Sequence, residues 1–206
     1  MTTFYTSDQH VGHKFISGLR GFWTVDQDGV RVPDVEAHNA SIAAKWDAQV
    51  RANDTVYVLG DTSMSWNESV QAWWAARPGI KHLISGNHDG THPLHSKYKK
   101  ALKDWAPYFD TIQSQGSIKV EGRQIILSHF PYWSYGDGFD WDGEPRDTAR
   151  FEEWRVSEIP GRLLIHGHTH GPEQAHDSQF HVGWDAWHDL VHEREVVAWV
   201  KSQTKD

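Results

Sequence analysis

The stretch Thr55-Val56-Tyr57-Val58-Leu59-Gly60-Asp61 decides the fold of this chain. Its first five residues are β-branched, aromatic or aliphatic, which predicts a buried β-strand. The strand ends at Gly60-Asp61, so a carboxylate follows directly on its last apolar residue. In open α/β sheets, ligands bind at the carboxyl ends of the strands. Asp61 is therefore predicted to lie in a binding site.

The same arrangement, a short apolar strand followed at once by side chains that bind hard metal ions, occurs four more times. The predicted strands span residues 3–7, 80–84, 123–127 and 162–165. The motifs that follow them are Asp8-Gln9-His10, Gly86-Asn87-His88-Asp89, Ser128-His129 and Gly167-His168-Thr169-His170. Several strand ends that lie side by side can hold metal ions that a single strand end cannot.

Helical patterns alternate with these strands, which predicts an α/β architecture in a single domain, residues 1–206. Apolar spacing and boundary residues predict helices that run from 33–34 to 53–54, and over 67–77, 147–156 and 193–201. Residues 111–120 and 123–127 are typical of a hairpin that turns at Glu121-Gly122. We expect a last strand at 180–184 and a long loop over 8–32.

The charge balance bears on the class of substrate. The chain carries 20 Lys and Arg against 28 Asp and Glu, a formal charge of −8. Nonspecific binding of DNA or RNA depends on neutralising phosphates with Lys and Arg, so no extended nucleic-acid track is expected. A small phosphorylated substrate remains compatible, because bound divalent cations reverse the charge locally.

The residue types also restrict the metals and the compartment. There is no cysteine, so a metal site must use oxygen and imidazole ligands, which suit Mn, Fe, Zn, Ni or Mg. The N-terminal sequence lacks the basic and apolar stretches of a signal peptide. No apolar run reaches the length of a membrane span. We therefore expect a cytoplasmic protein with no membrane partner, and the sequence leaves its oligomeric state open.

Two motifs place a pair of metal-binding side chains two residues apart: Asp8 with His10, and His168 with His170. Residues i and i+2 of an extended chain share a face, so each pair can contact one ion. Asp61 is placed to bridge two cations. Taken singly, each motif has a plain alternative, which is a surface Asp and His pair, an ordinary turn or a structural histidine.

Together and in this order, the five motifs resemble those of the calcineurin-like metallophosphoesterases, which are binuclear-metal phosphoester hydrolases. The resemblance covers residues 3 to about 187 and implies a four-layer αββα sandwich of two facing mixed sheets, with the metals at one edge. It implies two divalent metal ions, with Mn favoured over Fe, Zn, Ni or Mg. The implied ligands are Asp8, His10 and His170 for one ion, Asn87, His129 and His168 for the other, and Asp61 between them.

The resemblance also implies a catalytic role for His88, which would bind no metal. His88 would stabilise charge on the phosphoryl group or protonate the leaving oxygen. The nucleophile would be a hydroxide that bridges the two metals, because two cations lower the pKa of bound water.

The chain departs from the protein phosphatases of this family, which carry Gly-Asp-x-x-Asp-Arg-Gly. Here Met64-Ser65 stands in place of the Asp-Arg pair, so the Arg that grips phosphate and the Asp that orients the catalytic His are both missing. Asp89 or a backbone carbonyl is then the candidate to orient His88. The runs 5–14 and 181–187 are more similar to small single-domain phosphoesterases of bacteria and their phages.

A phosphodiesterase that acts on small diesters, such as 2′,3′-cyclic nucleotides, is the favoured function. A phosphomonoester is nearly dianionic at neutral pH, whereas a diester carries one charge and needs less cationic help. His13 and Lys14 are candidate phosphate contacts, although a solvated loop accounts for them equally well. Arg20 or Arg146 could supply a further cation.

The segment 131–147 is rich in aromatic residues, glycine and acids, and two interpretations of it stay open. Its aromatic residues could stack a nucleobase or pack over the edge of a sheet; they are Tyr132, Trp133, Tyr135 and Trp141. Its acids could form a third cation site, although a solvated acidic loop is favoured.

Other functions stay open as alternatives. A phosphomonoesterase and a nuclease are the enzymatic alternatives, and a metal-bound binding or regulatory protein is the alternative from a different class. A protein without catalytic activity would be free to lose His88 or Asp61, so the intact motif set disfavours that last reading. The one partner we expect is a small phosphoester substrate.

Overall fold

Two mixed β-sheets form the framework of the chain in the computed structural model, which describes residues 1–132 and 150–203. In spatial order, the first sheet contains β12 (Val191–His192), β1 (Thr3–Thr6), β4 (Thr55–Val58), β5 (Ile80–Ile84) and β6 (Thr111–Gln113). The second contains β10 (Ala175–His176), β11 (Gln179–His181), β9 (Leu163–His166), β8 (Arg123–Ser128) and β7 (Gln115–Val120). Each sheet combines parallel and antiparallel pairs.

The central strands of the first sheet are buried on both faces, which explains their nearly continuous apolar sequence. Alternate residues such as Phe4, Val58 and Leu83 face a core shared with the helices. Their neighbours Leu59 and Ile84 face a second core, to which strands of the second sheet contribute. The predicted α/β sandwich of two mixed sheets is therefore confirmed.

Helices cover the outer core and close the sandwich. They are α1 (Lys14–Leu19), α2 (Val35–Gln49), α3 (Glu68–Ala76), α4 (Tyr98–Trp105), α5 (Trp184–Trp187) and α6 (Glu193–Ser202). Asp34 and Asn67 accept hydrogen bonds from the first turns of α2 and α3, which fixes where these helices begin. Trp46 and Trp74 lie fully buried against the first sheet. In the described part of the chain, no helix has both the length and the apolar character needed to cross a bilayer.

Two predictions of local structure were wrong in the first half of the chain. Residues 8–32, expected to be one loop, contain α1 and a hairpin of β2 (Trp23–Val25) and β3 (Arg31–Pro33). One of the glycines in this range, Gly29, lies in the turn of the hairpin with φ 77°, a conformation in which a side chain is disfavoured. Helix α4 was not predicted at all.

The strand expected over 111–120 is divided between the two sheets. Its first part, β6, pairs with β5 of the first sheet, and after Ser114 its second part, β7, pairs with β8 of the second. Local sequence predicts extended backbone but not the strand with which it pairs, so the crossing could not be predicted. The hairpin of 115–120 with 123–128 is confirmed.

Two elements late in the chain also differ from prediction. A helix was expected over 147–156, but the described part of that range contains only a 3-10 helix, Glu152–Trp154. Phe151 has φ 58°, which is incompatible with a continuous α-helix through this position. The expected strand at 180–184 ends at His181, because α5 begins at Trp184. The last strand is β12, which leads directly into α6.

Candidate metal centre

The carboxyl ends of β1, β4, β5, β8 and β9 meet at one edge of the sandwich, and they deliver all the predicted metal-binding side chains to one place. Strands β1 and β4 are held together beyond their ends, because Asp8 N–H donates to the Gly60 carbonyl at 2.9 Å and His10 N–H to the Asp61 carbonyl at 3.1 Å. The residues that meet there are Asp8, His10, Asp61, Asn87, His129, His168 and His170.

The first group comprises Asp8, His10, Asp61 and His170, whose ligand atoms all lie within 4.8 Å of one another. The Nε2 atoms of His10 and His170 are 3.1 Å apart. Asp61 Oδ2 lies 3.8 Å from His10 Nε2, and Asp8 Oδ1 lies 3.7 Å from His170 Nε2. These separations are suitable for one ion between the four side chains.

The second group comprises Asp61, His129 and His168, again with ligand atoms within 4.8 Å of one another. His129 Nε2 lies 3.5 Å from Asp61 Oδ1 and 3.2 Å from His168 Nδ1. Asn87 joins this group, since its Oδ1 is 3.1 Å from His129 Nε2. Asp61 belongs to both groups and uses a different oxygen toward each.

The hydrogen bonds behind these histidines show that the groups suit a cation. His170 Nδ1 lies 2.7 Å from a carboxylate oxygen of Asp185, and His129 Nδ1 lies 2.6 Å from the Leu59 carbonyl. Each Nδ1 must therefore donate its proton, which leaves a lone pair on Nε2 in the neutral ring. Oδ1 of Asp8 is buried and, among the described residues, receives no hydrogen bond. Buried lone pairs that converge in this way fit divalent metal ions.

Five of the seven residues have left-handed backbone, which was not expected from the sequence. The φ angles are 61° at Asp8, 50° at His10, 51° at Asp61, 75° at His168 and 54° at His170. The extended backbone expected at both pairs is therefore wrong. Asp8 and His10 still lie in one group, as predicted, whereas His168 and His170 lie in different groups and cannot form a pair on one ion. Tight turns direct their side chains instead. Strained backbone of this kind concentrates at functional sites.

Asp89 holds the turn that carries Asp61. Its two carboxylate oxygens accept hydrogen bonds from the N–H groups of Gly86, Asp61 and Thr62 at 2.8–2.9 Å, and from the Thr62 hydroxyl at 2.7 Å. The suggestion that Asp89 orients the His88 ring is therefore wrong, since these four donors occupy its carboxylate. Gly86 is required here because a Cβ at this position would collide with the Asp61 carboxylate.

His88 lies at the mouth of the centre and is 40% exposed, whereas Asp61 beside it is 2% exposed. Its ring lies 5.7 Å from that of His10, measured between centroids. Burial and the nearby charge of His129 lower the pKa of His88, so its imidazole is neutral at physiological pH. Among the described residues, no carboxylate hydrogen-bonds the ring of His88, which makes it unlike the supported histidines deeper in the site.

The two candidate substrate contacts lie at the start of α1 and differ in their surroundings. His13 is half-buried, with its ring 5.5 Å from that of His10, and its Nδ1 accepts a hydrogen bond from Ile16 N–H. Burial lowers the pKa of His13, and the charge of His88 lowers it further. Lys14 is exposed.

Burial and neighbouring charges act together on the pKa of His10 but oppose each other at His129 and Asp61. Burial lowers the pKa of His10 well below its usual range, and His170 beside it lowers it further. Burial alone would lower the pKa of His129 too, but the carboxylates of Asp61 and Asp8 raise it overall. Burial raises the pKa of Asp61, against the opposing charge of His129.

Sequence reasoning missed two residues that support the site, Arg20 and Asp185. Arg20 was considered only as one of several residues that could supply a cation to phosphate, but its guanidinium contacts Asp185 and the backbone of Asp8 and Gln9 instead. Asp185 falls in the run 181–187 that carried the family resemblance, so it had a signal that was not assigned to a role. For Arg20, the sequence holds no comparable signal.

The aromatic segment is only partly within the described residues. Tyr132 was suggested as a platform for a nucleobase, but it is fully buried and its hydroxyl donates to the Arg162 carbonyl. This suggestion is therefore wrong for Tyr132. Within 131–147 the structure describes only Pro131 and Tyr132. The predictions for Trp133, Tyr135, Trp141, Arg146 and the acids of this segment therefore lie outside the described residues.

Comparison with known proteins agrees with this geometry. The model of the calcineurin-like phosphoesterase superfamily domain matches residues 4–183. The Gene 66 protein of Mycobacterium phage L5 is 37% identical, with 94% of this chain and 91% of that protein covered. The Gene 66 protein of Mycobacterium phage D29 is 34% identical, with 93% and 92% covered.

A solved structure shares the fold. It is the crystal structure of AQ665 from Aquifex aeolicus, described as a protein of unknown function, with a TM-score of 0.62 and 24% identity over 96% of this chain and 98% of that one. The clustered Asp and His side chains, together with the family match, support a metal-dependent phosphoester hydrolase. The chain belongs to the calcineurin-like phosphoesterase superfamily.

Proposed function

We propose that this protein hydrolyses small phosphodiesters, such as 2′,3′-cyclic nucleotides, with two divalent metal ions. The observation that carries the proposal is the convergence of two buried groups of acceptor atoms on one shared carboxylate, Asp61. Asp8, His10 and His170 would hold one ion with Asp61. Asn87, His129 and His168 would hold the other, and Mn²⁺ is the favoured metal.

The residues around this centre would divide the work of hydrolysis. Two bound divalent cations would lower the pKa of water and neutralise charge on the phosphate. His88 is neutral and faces solvent at the mouth of the site, so its N–H can donate to a phosphoryl oxygen or to the leaving oxygen. Asp61 would keep both ions at a fixed separation, because a carboxylate oxygen points toward each group.

The preference for diesters rests on the charges that the chain presents. Met64-Ser65 occupies the positions where protein phosphatases of the family place Asp-Arg. Arg20, which could have replaced that guanidinium, is tied to Asp185 and to the backbone beneath the metal groups. His88 and His13, both with lowered pKa, contribute neutral donors at the mouth. A singly charged diester suits such a site better than a dianionic monoester.

Steady-state hydrolysis tests the proposal. We expect a higher kcat/KM for bis-p-nitrophenyl phosphate than for p-nitrophenyl phosphate in the same Mn²⁺ buffer, and loss of both activities with a chelator. A panel of 2′,3′-cyclic nucleotides, 3′,5′-cyclic nucleotides and linear dinucleotides then defines the diester. Faster cleavage of the monoester would make the protein a phosphatase. The absence of any turnover, despite bound Mn²⁺, would favour a binding or regulatory protein.

A further inference from the structure

We infer that Arg20 and Asp185 are positioning residues that set the metal affinity of the first group, Asp8, His10, Asp61 and His170, and act far less on the second group. This inference rests on the proposed function, since it concerns a metal ion held by the first group. It adds two residues that are not themselves ligands and that lie far from the ligand motifs in sequence.

Asp185 connects a predicted ligand to a buried cation. One of its carboxylate oxygens, Oδ2, accepts from His170 Nδ1 at 2.7 Å and from Arg20 Nη2 at 2.7 Å. The other, Oδ1, accepts from Arg20 Nε at 2.8 Å. The side chains of Arg20 and Asp185 are 6% and 15% exposed, so this two-pronged ion pair is largely shielded from water.

Arg20 uses its whole guanidinium for this purpose. Besides its two bonds to Asp185, Nη2 donates to the Asp8 carbonyl at 2.7 Å, and Nη1 lies 3.1 Å from the Gln9 carbonyl and 3.0 Å from His38 Nε2. The five N–H groups of a guanidinium are thereby all used. A side chain with every donor engaged inside the protein is held in one position and is not available to a substrate.

These contacts act on two predicted ligands at once. The Asp185 carboxylate fixes His170 with its proton on Nδ1, which directs the Nε2 lone pair into the first group. Arg20 binds the carbonyl of Asp8 and so helps to hold the left-handed backbone of that residue. Outer partners of this kind typically change metal affinity by about 10- to 100-fold.

The second group is supported in a different way, and this difference makes the inference testable. His129 donates to the neutral carbonyl of Leu59, and the carbonyl of Asn87 is bound by His95 Nε2 at 2.9 Å. Within the described residues, no hydrogen bond joins Arg20 or Asp185 to Asn87, His129 or His168. The two groups are linked through Asp8 Oδ2, which accepts from His168 N–H at 3.0 Å, a bond that Arg20 and Asp185 do not make themselves. Loss of the Arg20–Asp185 pair should therefore weaken binding of the ion in the first group far more than binding of the other ion.

Calorimetric titration of the metal-free protein with Mn²⁺ tests this. We expect wild type to bind two ions, and Asp185→Asn to bind one of them about 10- to 100-fold more weakly. The other affinity should stay within about twofold. Arg20→Lys should show the same selective loss, because lysine cannot make the two-pronged contact. Arg77→Lys is the matched control, since Arg77 pairs with the half-exposed Asp47 at 2.8 Å, away from the ligands.

Thermal unfolding of each metal-free variant shows whether the variant is folded, and so distinguishes a loss of ligand positioning from a loss of fold. Should Asp185→Asn fail to fold, the titration of Arg20→Lys decides. Unchanged Mn²⁺ affinities in the folded variants, or an equal loss of affinity for both ions, would overturn the inference. If wild type still binds two ions in that case, the proposed function stands. A wild-type protein that binds no Mn²⁺ would refute both.

Discussion

The backbone N–H of His88 donates a hydrogen bond to Oδ1 of Asp61 across 2.9 Å, while its ring Nε2 lies 3.9 Å from Oδ2 of the same carboxylate. The residue proposed to act on the phosphoryl group is thus anchored through its backbone to the carboxylate shared by both metal groups. Its ring stays outside the buried groups and remains 40% exposed. Mutation should therefore separate the proposed metal binding from the proposed role of His88.

Asp61→Asn should impair the binding of at least one metal ion and remove most activity. The amide retains an oxygen for the His88 N–H but loses the charge that both groups share. The loss of activity should exceed that of Asn87→Ala, which removes a neutral ligand from one group only. Metal analysis of the purified variant, alongside turnover of bis-p-nitrophenyl phosphate, measures this. Full metal content with normal turnover would rule out the bridging role.

His88→Ala should keep both metal ions and lose about two to four orders of magnitude in kcat, as expected for a missing acid or electrostatic group. The exposed His176, which contacts Glu173 and belongs to neither group of candidate ligands, provides the control in His176→Ala. Metal content and kcat should be measured on the same preparations. A variant that has lost metal would make His88 a ligand instead.

His13→Asn should raise KM for small phosphodiesters by several-fold without changing metal affinity. Asparagine is a favourable N-cap, so it can replace the bond that His13 makes to Ile16 N–H while removing the ring beside His10. Lys14→Ala should have a smaller effect, because Lys14 is exposed at the helix start. A larger rise in KM for the lysine variant would reverse this assignment.

Asp89→Asn should lower the free energy of unfolding of the metal-free protein by about 1–3 kcal/mol, since its amide would face buried N–H donors that need an acceptor. Metal affinity should fall as well, because those donors fix the Asp61 turn. Urea unfolding of the variant, compared with Asp104→Asn at the exposed Lys100 pair, checks this. Equal stability of the two variants would contradict a role for Asp89 in holding the turn.

The positions along the chain of the five strands that carry the motifs, and of the polar residues that follow them, could be predicted because both are local features of sequence. A run such as Thr55 to Leu59 predicts a buried strand in any context, and a polar residue directly after it lies at the edge of the sheet. The sharing of Asp61 between two groups followed from the family motifs, and the structure shows one oxygen directed toward each group.

The remaining features depend on contacts between residues that are far apart in sequence, and local sequence does not indicate such contacts. The passage of residues 111–120 from one sheet to the other is decided by partners in β5 and β8. Arg20 and Asp185 are 165 residues apart, and neither has a neighbouring pattern that indicates the other. Tyr132 looks like an available ring in sequence, but it is buried because the chain folds back to place its hydroxyl at the Arg162 carbonyl.

The left-handed backbone at Asp8, His10, Asp61, His168 and His170 bears on how the chain could evolve. Each such non-glycine residue costs on the order of 1 kcal/mol, so the cluster lowers stability by several kcal/mol, a large part of what a domain usually has. Glycine would relieve this at every position. In a related chain that did not need these side chains, glycine at the five positions would raise the free energy of unfolding. Carboxylates and imidazoles at all five positions therefore hold this site together at a cost in folding stability that glycine would remove.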